Sequence, residues 1–132
     1  APSFDLTGLR YRVGADWMPL TGMTLPLNAE LAAMITNIGD AAGTVAAQVT
    51  VTITGPEAAT LTGTATLSLA AGQSGYVAVS PNWQPTTAGD YQLATNATMN
   101  QQSSRTMLSF VTVSPPQVDC STTLILPTDL VE

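Results

Sequence analysis

Apolar and small polar residues alternate one by one along most of this chain, and a period of two leaves few folds open to it. In the run Val45 to Thr54 every odd position is apolar and every even one is Ala, Gln or Thr. One face can pack while the other meets water, as a half-buried strand demands. Leu27, Ala29, Leu31, Ala33 and Ile35 alternate in the same way with Asn28, Glu30, Ala32, Met34 and Thr36. The pattern returns at 61–69, 75–80, 91–97 and 105–113. Each run is bounded by turn chemistry: Gly55-Pro56, Ala71-Gly72-Gln73, Pro81 with Pro85, Ala88-Gly89-Asp90, Asn100-Gln101-Gln102 and Pro115-Pro116. In the first segment, Phe4 to Val13, the apolar parity flips at Gly8, which predicts a bulge or a switch between sheets there. Seven short strands with few helix-start signals predict an all-β chain, an antiparallel β-sandwich of about seven strands.

Between two of the most regular strands lies Met34-Ile35-Thr36-Asn37-Ile38-Gly39-Asp40-Ala41-Ala42-Gly43-Thr44-Val45. It reads as a turn, with Gly39 and Gly43 able to take positive φ and Asn37 and Asp40 able to bond nearby backbone. A calcium loop would need six or more oxygens, and only Asp40, Asn37 and a few carbonyls are local. No metal and no cofactor is expected.

Composition limits the chemistry further. The 132 residues, 45% of them hydrophobic, fit one core that hides roughly 65–70% of the unfolded surface. Nine carboxylates face three arginines, no lysine and no histidine, for a net charge of −6. That balance lacks the phosphate-neutralising surface that nucleic acid requires. Without histidine, Ser-His-Asp and Cys-His mechanisms are excluded, and zinc loses a common ligand. The sequence has neither a phosphate loop nor a dinucleotide fingerprint. The carboxylates of Asp5, Asp16, Glu30, Asp40, Glu57, Asp90, Asp119, Asp129 and Glu132 are scattered mostly through turns and termini, where solvation explains them. The chain is expected not to be an enzyme. With only 9% charged residues its surface is largely Thr, Ser, Asn, Gln and Ala, a composition of exported β-proteins, so an extracellular or cell-surface location is expected. No apolar run approaches the ~18 residues that span a bilayer. Ala1 in place of methionine fits either a processed mature protein or an excised fragment.

The order of an apolar strand ending in Thr36-Asn37-Ile38-Gly39-Asp40-Ala41, a Val/Thr strand, then Leu67-Ser68-Leu69-Ala70-Ala71-Gly72-Gln73-Ser74, Trp83 and Thr87-Ala88-Gly89-Asp90-Tyr91-Gln92-Leu93 resembles the CARDB-type immunoglobulin-like modules of prokaryotic surface proteins. The resemblance spans residues 4 to 113. It implies an immunoglobulin-like sandwich and a non-catalytic role in adhesion, as a spacer, or beside catalytic domains. Independently of family, Gly89-Asp90-Tyr91 places a tyrosine at the start of a late strand, where its hydroxyl can bond upstream backbone as a corner tyrosine. Trp83, between prolines, reads as a core plug at the end of the sandwich, or else as a sugar-stacking platform. Asn96-Ala97-Thr98 matches an N-glycosylation acceptor on an outward strand face.

The domain is expected over 1–115, followed at 116–132 by a proline-led tail or extra strand. Leu124-Ile125-Leu126 is too apolar for an ordinary linker, and these residues are expected either to dock on a neighbour or to fold back as an eighth strand. Cys120 has no intrachain partner. Sandwich edges are usually guarded by lysine, and this chain has none, so its edges are open to pairing. The expected function is a non-enzymatic structural module, a subunit of a surface appendage or filament or a domain of an adhesin, with protein partners that include copies of itself. The alternative is a carbohydrate-binding accessory module using Trp17, Trp83 or Tyr11.

Overall fold

The computed structural model describes residues 1–116, and the Leu124, Ile125, Leu126 and Cys120 expectations lie outside them. Among these residues all regular structure is β: β1 (Phe4–Val13), β2 (Asp16–Pro19), β3 (Met23–Thr24), β4 (Ala29–Asn37), β5 (Gly43–Thr54), β6 (Ala59–Leu69), β7 (Ser74–Trp83), β8 (Gly89–Met99), β9 (Gln102–Ser103) and β10 (Met107–Ser114). The all-β expectation holds. Among the described residues the strand count is ten instead of about seven, because the short β2, β3 and β9 add to seven long strands that stand where the alternation placed them. Among the described residues no helix is long and apolar enough to cross a membrane.

One continuous path runs β2-β1-β4-β7-β6-β5-β8-β10-β3, with β9 paired to β8. Every ladder is antiparallel except β10 with β3, which is parallel, so the sheet is mixed and not wholly antiparallel. The path narrows at one place. β5 and β6 pair along their length from Gly43–Leu69 to Ile53–Ala59, whereas β6 and β7 meet in register only at Thr62 and Ser80. Gly63 sits in that pinch, where an added Cβ would strike the Ala78 carbonyl, so only a glycine lets the two backbones approach. The sheet curls about this junction. Leu6, Leu9, Leu31, Ile35, Val77 and Val79 from one part pack with Val45, Val49, Val51, Ile53, Leu93 and Val111 from the other in a single cluster.

Local chemistry explains the irregular positions. The β1–β4 register slips between Leu6 and Gly8, so Leu6 and Leu9 are both buried despite opposite parity, as the flip at Gly8 predicted. β7 runs through Pro81 to Trp83 instead of stopping at the proline. The reason is a second slip, between Ala29 and Leu31, that leaves Ser80-Pro81-Asn82 opposite Glu30 alone and relieves the proline of any ladder amide. Gly39 and Gly43 do not adopt the expected positive φ. They are needed for close approach instead: a Cβ on Gly39 would meet the backbone of Ala1 to Ser3, and one on Gly43 would lie 2.5 Å from the Pro2 ring.

Candidate functional site

β10 lies next to last on the sheet path. β8 covers one of its edges from Met107–Thr95 to Val113–Gly89. On the other edge β3 pairs only with Val113 and Ser114, so among the described residues Met107 to Thr112 have no second strand paired to them. Alternation sends Val111 and Val113 into the core and leaves Leu108 and Phe110 outside at 51% and 72% exposure. They stand beside Ala94 and Gln92 of β8. Phe110 also borders an open hollow of about 440 Å³ lined with Thr54, Gly55, Asp90 and Tyr91. β10 contains no charged residue and no proline. The carboxylate of Asp90 accepts the Thr112 hydroxyl at 2.7 Å, and Arg105, just before the strand, reaches Asp5 at 3.9 Å. An apolar, uncharged, half-paired strand can extend its sheet with another strand.

The sequence-predicted residues gather at the two ends of β5. At the end near Thr54, the Tyr91 hydroxyl donates to the Thr87 carbonyl at 2.6 Å across the β7–β8 arch. Trp83, 3% exposed, meets the Tyr91 ring edge to face with centroids 5.3 Å apart. Gly89 holds φ at +147°, with Pro56 where a Cβ would go. Burial first, and then the Glu57 charge, push the Tyr91 hydroxyl above the usual tyrosine range. Glu57 is held below its usual range by the Thr87 hydroxyl and by Thr86, whose amide and hydroxyl donate to Oε2 at 2.8 Å.

At the other end, Asn37 is fully buried and its side chain is spent on backbone. Its Nδ2 donates to the carbonyls of Ala41 (2.8 Å) and Leu69 (3.1 Å), while Oδ1 accepts the amides of Gly39 (3.0 Å) and Ser3 (3.3 Å). Asp40 takes the N-terminal ammonium. Asn37 has no oxygen left over for a cation, and among the described residues no three His, Cys, Asp or Glu side chains group as metal ligands.

The aromatic rings suggested for sugar stacking are engaged. Trp83 is internal, Tyr11 packs against the core, and Trp17 stacks on Tyr76 at 5.6 Å with the Arg12 guanidinium 4.6 Å from its centroid. The Asn96 amide nitrogen, the atom a glycan would need, donates to the Ser104 carbonyl at 3.0 Å. Leu108 and Phe110 were missed from sequence, although their even parity, opposite to that of Val111 and Val113, carried the signal.

Among solved structures the chain is similar to the CARDB domain of a Pyrococcus furiosus protein in complex with di-metal ions. Identity is 20%, the match covers 88% of this chain and 96% of that one, and the TM-score is 0.50. The fold is that of a CARDB domain. A β-glucosidase from Listeria innocua matches 89% of this chain over 17% of its own, at 16% identity and a TM-score of 0.47. The alkylpurine DNA glycosylase AlkC of Pseudomonas fluorescens matches 83% over 30%, at 12% identity and a TM-score of 0.44. No family model and no curated protein matches the chain.

Proposed function

We propose that this CARDB-fold chain is a non-enzymatic, extracellular structural module with an immunoglobulin-like sandwich architecture. It serves as a subunit of a surface appendage or filament, or as a domain of a larger adhesin. It associates with protein partners, copies of itself included, through strand edges and terminal segments. The observation that carries this reading is the edge of β10 at Met107 to Thr112, uncharged and bearing Leu108 and Phe110 outward. In a chain of net charge −6, whose copies repel over most of their surface, an uncharged strand is where two proteins meet at least electrostatic cost. The absence of histidine from the sequence supports a role without catalysis. The engagement of Trp17, Trp83 and Tyr11 ranks the carbohydrate-binding alternative second.

Sedimentation of the chain with and without residues 117–132 tests the proposal. Association of the full chain that weakens on truncation is the expected result. Identical monomers in both cases would count against it.

A further inference from the structure

The described chain leaves its sheet at opposite poles. At one, the Ile38 amide donates to the Ser3 carbonyl at 2.7 Å and the Ser3 amide donates to the Asn37 side chain. At the other, Pro116 borders an apolar hollow of about 350 Å³ with Leu25, Pro26, Pro85 and Thr86. β5 joins the poles, its first residue facing Leu69 beside Asn37 and its last facing Gln92 beside Tyr91. Twelve residues at about 3.3 Å each put the poles about 35–40 Å apart.

A pull between Ser3 and Pro116 therefore runs along the strands. β1 is paired to β4 from Phe4–Asn37 to Tyr11–Leu31, and β10 to β8 over the comparable span given above. Antiparallel ladder bonds lie perpendicular to the strands, so this pull shears each ladder as a block instead of opening it pair by pair. Both ends carry extra grips where that force arrives. Val113 is paired on both edges, to Gly89 and to Met23, and the Ser114 carbonyl accepts the Leu25 amide at 3.1 Å. β3 is itself anchored, because Met23 and Leu25 flank Thr24 and are both buried in the core. On β1, the Thr7 hydroxyl meets that of Thr36, which meets that of Ser74, each at 2.7 Å, tying β1 through β4 to β7.

We infer that the module bears tension along its strand axis, with β3 and β8 gripping β10 at one pole and β4 and β7 holding β1 at the other. This goes beyond association, since a module that only docked would need no grip at its chain ends.

Single-molecule pulling of the full chain tests the inference in two geometries. In one, handles sit at the two termini. In the other, they sit on cysteines placed at exposed Ala42 and Ala71 (Ala42→Cys, Ala71→Cys, with Cys120→Ser), next to the Gly43–Leu69 pair that opens the β5–β6 ladder. End-to-end rupture is expected at about twofold or more the force of the transverse geometry, because forced unfolding follows the barrier along the direction pulled. Equal or lower end-to-end force would overturn it. Met23→Ala should lower the end-to-end force and leave the transverse force unchanged, and a loss of both alike would overturn the β3 grip. Should that variant not fold, the two geometries measured with Met23 in place decide alone. A chain that sediments only as monomers leaves these forces unaffected, so the two readings fail separately.

Discussion

Replacing Asn37 by alanine removes four hydrogen bonds from a side chain with no exposure. The bond to Leu69 is wholly buried, so its carbonyl is left dry and unpaired, which costs about 1–3 kcal/mol. The partners at Ser3, Gly39 and Ala41 are only partly buried, and water entering the vacated space recovers some of their loss. At roughly 0.5–1 kcal/mol for each of those, the total is about 3–5 kcal/mol, a large share of the ~5–15 kcal/mol that holds a typical domain together. Urea unfolding followed through tryptophan emission, from Trp17 and Trp83 together, measures it directly. A loss under about 1 kcal/mol would refute the view that this amide ties the amino-terminal segment, the β4–β5 turn and the end of β6 into one unit. Asn37→Asp sharpens the test, because it keeps the size but turns donors into an acceptor facing the carbonyls of Ala41 and Leu69. Burial and those carbonyls raise the folded-state pKa of the new carboxyl. The part of the penalty that comes from charge is therefore absent below its unfolded value of about 3.9 and grows as pH rises through it. An aspartate variant as stable at neutral pH as the original would sink the assigned orientation.

Three further outcomes follow from the same contacts. Tyr91→Phe should cost about 0.5–1.5 kcal/mol, seen as a thermal midpoint lowered by roughly 2–8 °C. Because the Tyr91 pKa is raised in the fold, its contribution is complete below the ordinary tyrosine value and lost as pH climbs past it, so the variant should also flatten the alkaline limb of the stability curve. Glu57 has the opposite sign: its lowered pKa stabilises above the unfolded value and that gain fades as pH falls, so Glu57→Gln should flatten the acid limb, and an unchanged limb would contradict the Thr86 and Thr87 bonding. The buried Thr95 hydroxyl has no hydrogen-bond partner among the described residues, so Thr95→Val should raise stability by about 1 kcal/mol in the same urea assay.

The strands with long alternation were legible in sequence because their period reports directly which side is buried. Val45 to Thr54 lies within β5, and Tyr91 to Ala97 within β8. Tyr91 was legible as well, since a tyrosine after Gly-Asp at a strand start has its partner four residues upstream. The short β2, β3 and β9 were not, because two to four residues carry no period. Gly39 and Gly43 were noticed for a conformational freedom they do not use. What they provide is room for a segment some forty residues earlier in the chain, a relation that no local window contains. The same limit hid the β10 edge. Parity shows that Leu108 and Phe110 point outward, but which strand lacks a neighbour depends on the order of the whole sheet.

The account of function stands on that edge, and Leu108→Lys with Phe110→Lys in one chain tests it most directly, because two lysines guard an edge without disturbing the core beneath. Sedimentation velocity over a range of concentrations should show the unsubstituted full chain associating and the double variant remaining monomeric with an unchanged unfolding midpoint. Equal association by both chains, or monomers throughout, would contradict it.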